Sequence, residues 1–389
     1  MHPVIRRLAA PISLLAAVAL LAGCSGGADQ PTAARTWVQK QEVPVPGIKP
    51  GLPGGDTGTL PAPSGPDGQP SAPPSGTETQ QDPNVVAEKL DAPWGLALLP
   101  DGTALVGERP TGRIVQVQPH RAPVQEVKRL TGIQALLGIA VSPSYDEDGL
   151  IYAYVTTRTD NRILRFTLDG TPSPILTGIP RGAEHNGGRI AFGPDGHLYI
   201  GTGDTGDPRL APDKHSLAGK ILRISIFGKP VENNPDPHSA VYSRGFTDVS
   251  GLCWNDAGTM FATDLGTRTG ETDVVKAGRN YARGGQDPVL AWRAGTMGPG
   301  GCAVIDFGLF IGGLEGKQIS GIPLDAQDNP GNPEPLVQNR YGRIRTVVAA
   351  SDGALWATTS NRDGHGKPVR ADDRVLRINP PTAVTTSPV

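Results

Sequence analysis

One pattern recurs six times along this chain and constrains its fold more than any other feature. The stretches beginning at Pro93 ("PWGLALLPDGTALVGE"), Leu136 ("LLGIAVSPSYDEDGLIYAYVT"), Gly187 ("GGRIAFGPDGHLYIGTGD"), Val249 ("VSGLCWNDAGTMFATDLG"), Gly298 ("GPGGCAVIDFGLFIGGLEG") and Ile344 ("IRTVVAASDGALWATTS") share one layout. Each is a short apolar strand, an Asp-Gly or similar turn, and a second apolar strand ending in small or polar residues. The turn has a mechanism: Gly takes positive φ without steric cost, and Asp bonds its own backbone. Further strands follow most units, as in "GRIVQVQ" (Gly112), "NRILRFTL" (Asn161), "GKILRISI" (Gly219) and "DRVLRINP" (Asp373). Six units separated by roughly 40 to 65 residues predict an all-β, six-bladed propeller of four-stranded blades. A pair of β-sandwiches would leave the recurrence unexplained, and no long amphipathic helix pattern competes. In a propeller the innermost strands line a central channel, and their ends carry the site.

Composition agrees: 52 Gly and 39 Pro in 389 residues belong to a turn-rich chain. The net charge of −2, with no basic run to track phosphates, gives no argument for a nucleic-acid partner.

The N-terminus reads differently. "HPVIRRLAAPISLLAAVALLAGC" places Arg6 and Arg7 before an apolar run that ends in small residues at Cys24, the layout of an export signal. Leu21-Ala22-Gly23-Cys24 resembles a bacterial lipobox, which implies removal of residues 1–23 and lipidation of the Cys24 thiol. An ordinary secretory signal with a chance cysteine is the alternative. The apolar run is interrupted by Pro11 and short for a membrane span. The expected location is therefore outside the cell, lipid-anchored to the outer face of the cytoplasmic membrane. Residues 24–83 are rich in Pro, Gly, Ser and Thr and poor in apolar side chains, so they read as a flexible tether. Residues 84–380 form the propeller and 381–389 a disordered tail. Cys253 and Cys302 hold equivalent places in consecutive repeats, on inner strands of neighbouring blades. In an oxidising setting they are candidates for a blade-to-blade disulfide; unbonded, they are two small buried apolar residues.

Several stretches carry a family resemblance. "PWGLALLPDG…GERPTGRI", "LLGIAVSP", "HNGGRIAFGPDGHLYIGTGDTGD", "SLAGKILRI", "GRNY" and "GRIRTVVAASDGALWATTSNRDG…DDRVLRI" resemble the soluble quinoprotein glucose/sorbosone (aldose sugar) dehydrogenases. The resemblance runs from Leu90 to Pro380. It implies a six-bladed propeller that binds pyrroloquinoline quinone (PQQ) and calcium at the top of the channel. It also implies oxidation of the anomeric hydroxyl of a sugar, with electrons leaving to an acceptor the sequence does not identify. By that resemblance His185 is the base that takes the hydroxyl proton, Asp204 orients it, and Glu184 stands where the family usually has an acid. A carboxylate behind an imidazole fixes its tautomer and supports the charge that develops. Arg343 and Arg345, alternating along one strand, match an arginine pair that contacts the quinone, whose carboxylates suit guanidinium donors. Gly266 and Thr267 match a turn whose carbonyls bind calcium. Glu271 and Tyr281 match a second calcium site, the tyrosine through its backbone carbonyl.

Other positions depart from the family pattern. A family glutamine or glutamate aligns with Ile133, with Gln134 one place off. A cofactor-binding arginine becomes Thr247 and an asparagine becomes Asp248. An expected cation becomes Glu315, with Lys317 close by, and an acid becomes Gly270. Around the implied cofactor two cationic groups are lost and two anionic groups gained, and like charges in contact cost about 4 kcal/mol per pair at a protein surface. Lys317, Arg343, Arg345 and calcium are the expected compensation. His197, His215 and His365 lack zinc-ligand spacing, and no P-loop, dinucleotide fingerprint or Gly-x-Ser-x-Gly occurs. Two readings stand at this point: a tethered sugar dehydrogenase, or a catalytically degenerate propeller that binds a ligand or protein at the cell surface.

Overall fold

The computed structural model describes residues 35–38, 81–282 and 284–385. Six four-stranded antiparallel sheets follow one another around a ring. The first five blades are sequential, and their inner strands are Pro93–Leu98, Ala135–Val141, Ile190–Phe192, Val249–Trp254 and Pro299–Ile305. The sixth is composite. Ile344–Ala349, Leu355–Thr359 and Val375–Ile378 are completed on the outside by Val85–Ala87 from the other end of the chain. The ring is thus closed by strand pairing between its two ends.

The repeats fall where the sequence places them, and the turns work by the mechanism given. In the first and third units Gly102 and Gly196 adopt φ of 83° and 72°. There the preceding Asp101 and Asp195 accept the N–H of Thr103 and His197. Small residues let the inner strands converge: a Cβ on Gly138 would lie 2.2 Å from the Gly188 carbonyl of the next blade.

The core lies between blades rather than at one centre. Tyr152, Tyr154, Ile163 and Leu222 bury against one another at one blade junction, and Phe310, Ile344 and Leu355 at another. Each fully buried side chain of this size contributes roughly 1.5–3 kcal/mol. Cys253 and Cys302 are bonded, joining the inner strands of the fourth and fifth blades.

Within the tether and the tail, Arg35–Val38 pairs antiparallel with Thr382–Thr385. Both segments are islands of β-branched and aromatic residues within otherwise strand-poor sequence. The signal, Cys24 and most of the tether lie outside the described residues. Among the described residues no helix is long and apolar enough to cross a membrane.

Candidate active site

A cavity of about 830 Å³ opens at the end of the channel where Trp94, Gly187, Val249 and Gly298 stand at or beside the starts of the inner strands. His185 reaches it from the loop ahead of the third blade. That loop is tied at several points. Asn186 uses its side chain to accept from Gly182 N–H at 3.0 Å and donate to the Gly182 carbonyl at 3.0 Å. Asn161 and the Tyr154 hydroxyl donate to Asn186 from the second blade. Thr205 N–H donates to the His185 carbonyl. His185 and Thr205 both hold positive φ, 48° and 61°, a left-handed conformation that costs a non-glycine residue on the order of 1–2 kcal/mol. Strain of this kind persists only where surrounding bonds over-determine it.

The ring Nδ1–H of His185 donates to Asp204 Oδ1 at 2.8 Å. Asp204 is buried and also accepts from Gly206 N–H. Nε2 is left as the nitrogen that can take a proton. The bond to Asp204 raises the His185 pKa above its ordinary value. Burial opposes the rise, and the charges of Asp248, Asp204 and Glu184 add to it.

Arg343 and Arg345 line the same cavity and share one counter-ion. Their guanidinium groups lie 3.2 and 3.3 Å from Asp363 Oδ2. Arg345 Nε is buried with no hydrogen-bond partner, and burial lowers the Arg345 pKa to about 10. A cation with an orphaned donor facing a cavity is a site for an anion, and the donor set fits the carboxylates of a quinone such as PQQ. Asp363, in the turn of "SNRDG", was not singled out from the sequence. Its Asp-Gly turn was the available signal, but the partnership spans blade strands that only folding brings together.

The departures resolve one by one. Gln134 lines the cavity, while Ile133 packs on the core between the first two blades, so the residue one place off takes the aligned position's place. Thr247 faces a neighbouring cavity and not this one. Asp248 does face it, accepting from Gly187 N–H at 2.7 Å. Glu315 lines it as well, with Oε2 accepting from Gly295 N–H. Lys317 does not line the cavity, contrary to expectation. The additional cations on its wall are Arg109, Arg181 and Arg293, making five arginines against the acids Glu184, Asp248 and Glu315.

The neighbouring cavity, about 890 Å³, lies between the third and fourth blades. Glu184, His185, Gly266 and Thr267 wall both cavities, whereas Glu271 and Tyr281 face only the second. The Tyr281 hydroxyl is committed inward, accepting from Lys276 N–H and donating to the Val274 carbonyl, and its ring stacks on Phe246. Asp264 pairs in register with Glu271, and Asp273 lies two residues further along the same face. Asp273 is buried, both its oxygens lack a donor, and burial pushes its pKa up to about 8. Asp264 and Glu271 line the second cavity beside Gly266 and Thr267, whereas Asp273 does not; two carboxylates next to exposed backbone suit a hard cation such as calcium. Among the described residues no three His, Cys, Asp or Glu side chains converge on one point. A calcium ion here would therefore rest on backbone carbonyls with few carboxylates.

Fold and site together define a six-bladed propeller with a histidine–carboxylate pair set into an arginine-lined anion pocket. Comparison with known proteins gives the class a family: the model of the glucose/sorbosone dehydrogenases matches residues 90–285 and 282–370. The chain belongs to that family, as its motifs suggested, and its matched relatives include glucose and aldose sugar dehydrogenases. The PQQ-bound aldose sugar dehydrogenase of Streptomyces coelicolor is 40% identical, with TM-score 0.74, covering 76% of this chain and 96% of that one. A glucose dehydrogenase-type oxidoreductase of Thermus thermophilus is 34% identical, with TM-score 0.70, covering 76% and 98%. Quinoprotein glucose dehydrogenase B of Acinetobacter calcoaceticus is 27% identical over 246 residues, 51% of this chain and about half (52%) of that protein's length.

Proposed function

We propose that this protein is a membrane-tethered quinoprotein that oxidises the anomeric hydroxyl of a sugar with PQQ and calcium. The observation that carries this reading is the His185–Asp204 pair on the wall of the cavity that Arg343 and Arg345 line. When bound, PQQ supplies the two-electron acceptor that takes the hydride. Arg343 and Arg345 would hold its anionic groups, with Arg109 and Arg293 adding positive charge against Asp248 and Glu315. Asp363 between the two arginines offsets their mutual repulsion and fixes their direction. The Gly266 and Thr267 carbonyls, and Glu271 with the Tyr281 carbonyl, would hold calcium. His185 keeps its Nδ1–H on Asp204, so Nε2 takes the hydroxyl proton and Asp204 stabilises the imidazolium. Glu184 adds negative charge beside it. The lipobox at Leu21 to Cys24 and the composition of residues 24–83 support an exported chain, acylated at Cys24 and tethered to the outer face of the bacterial cytoplasmic membrane. It would pass electrons to a separate acceptor.

A second reading, a surface binding module without turnover, is favoured by Asp248 and Glu315, two acids facing a pocket for an anion. Reconstitution separates the two. The purified protein is titrated with PQQ in calcium, the quinone absorbance is followed, and a panel of aldoses is assayed with a dye acceptor. The enzyme reading requires a spectral change and turnover. His185→Ala should lower turnover by roughly 10²- to 10⁴-fold and leave the bound-quinone spectrum in place. A folded protein with no spectral change at large excess of PQQ would sink the enzyme reading.

A further inference from the structure

Arg189 is the most unusual buried group that this mechanism leaves unused. It begins the inner edge of the third blade, next to Ile190, and is 6% exposed. Aligning the six repeats on their turns places Arg189 opposite Gly95, Gly138, Gly251, Gly301 and Thr346. Five blades thus offer small residues at this level of the channel, and one long side chain crosses the space. Its Nε–H donates to the Ser250 carbonyl at 2.9 Å and Nη2 to Thr346 Oγ1 at 3.0 Å. Thr346 in turn donates to the Trp94 carbonyl, and the guanidinium lies 4.6 Å from the centre of the Trp94 ring. A Cβ at Gly301 would stand 3.3 Å from Nη2.

This arrangement is costly for a mere plug. A buried cation without a counter-charge is destabilised by several kcal/mol, and no carboxylate among the described residues lies within ion-pair distance of Arg189. An apolar side chain would fill the same space without that penalty. Arg189 itself lines the apolar end of the channel, together with Leu96, Ile139, Leu252 and Val347. On its other side are Trp94 and Ser250, which belong to the wall of the arginine-lined cavity. No acid lines the apolar end, so the polar side from which a negative charge can act on Arg189 is the cavity beyond Trp94. Burial lowers the Arg189 pKa to about 9, which leaves it charged at neutral pH.

We propose that Arg189 is a positioning residue for the acceptor: a fixed positive charge beneath Trp94 on the channel axis, which draws an anionic quinone onto the cavity floor and favours its reduced form. The inference rests on the reading of the site as a quinone pocket. Buried in the channel, the charge acts with little screening by salt. It balances electron density that the acceptor gains, so its loss weakens the reduced state more than the oxidised one.

The test uses the full chain with PQQ and calcium. Affinity is read by absorbance titration, and the midpoint potential of the bound quinone by spectroelectrochemistry. Arg189→Met should weaken binding at least tenfold. It should also cost the reduced form a further tenfold preference, a fall of about 30 mV for a two-electron couple. Thr346→Asp keeps the side chain in place and supplies a neutralising carboxylate, so it should reproduce both losses even if Arg189→Met fails to fold. Arg189→Lys should recover most of the potential. If the neutralised variants are folded and bind PQQ with unchanged affinity and potential, Arg189 only fills the channel and the inference fails alone. If the wild-type protein binds no PQQ, the quinone reading fails and this inference falls with it.

Discussion

At the scale of single residues, the acid environment of His185 sets how the site answers to pH. Three carboxylates act on its imidazole: Asp204 by a direct bond, Asp248 and Glu184 by charge. All favour the protonated ring, and the base works only when the ring is neutral. The acid limb of kcat/KM is therefore expected above the ordinary histidine value of about 6.5, with activity falling as pH drops through it. Asp248→Asn should move that limb down while preserving turnover at high pH, and a pH–rate profile of the PQQ-loaded variant reads it directly. An unmoved limb would show that Asp248 does not reach the ring. The stability linkage has the same origin. The pair contributes fully below the unfolded-state pKa, and its contribution is lost as pH rises through the raised folded value. His185 and Asp204 were legible from their motif because they are close in sequence on one loop and its neighbouring strand. Gln134 was not. The motif aligned on Ile133, but the chain ahead of the Ala135–Val141 strand sets Gln134 on the cavity wall and Ile133 on the core. Asp363 and Arg109 escaped notice for a different reason: their roles depend on neighbours that the ring assembles from distant repeats.

At the scale of strands and blades, two blade junctions carry testable charge and covalent features. The Cys253–Cys302 bond joins the fourth and fifth blades across a sequence separation of 49. A closed loop of this length is worth roughly 2–4 kcal/mol through the unfolded state. Replacing both cysteines with serine should lower the unfolding free energy by about that amount, measured by denaturant titration. PQQ affinity should hold, because the bond lies toward the apolar end of the channel and away from the arginines. The junction of the third and fourth blades holds the proposed calcium. An ion that binds only the folded chain stabilises it, so calcium removal should lower the melting temperature. Glu271→Gln should shrink the gap between calcium-loaded and chelated protein, since Glu271 is the carboxylate on that cavity's wall proposed to hold the ion. An unchanged gap would place calcium away from this face. The repeats themselves were readable because turn chemistry and apolar alternation are local. The acidic column of Asp264, Glu271 and Asp273 was only partly so, since it depends on cross-strand register.

At the scale of the whole molecule, stability depends on how the ring closes. Val85–Ala87 pairs with Val375–Ile378 as the outermost strand of the sixth blade, so the two ends of the propeller are held by backbone hydrogen bonds. Val85, Val86 and Leu90 are buried there, and each is worth roughly 1.5–3 kcal/mol. Their sum approaches the whole stability of an ordinary domain, about 5–15 kcal/mol. Removing them would also expose the edge of Val375–Ile378, a template for aggregation. By contrast, the ribbon of Arg35–Val38 with Thr382–Thr385 is a two-stranded pair of the kind that adds little on its own. A chain that starts at residue 81 should therefore melt as the full chain does. It keeps Asp82, which accepts from Val85 N–H and from the Tyr341 hydroxyl. A chain that starts at residue 91 should be insoluble or melt far lower, with sedimentation and thermal unfolding as the readouts. Equal melting of the two would mean that three strands suffice for the sixth blade and that closure resides in the inner strands alone.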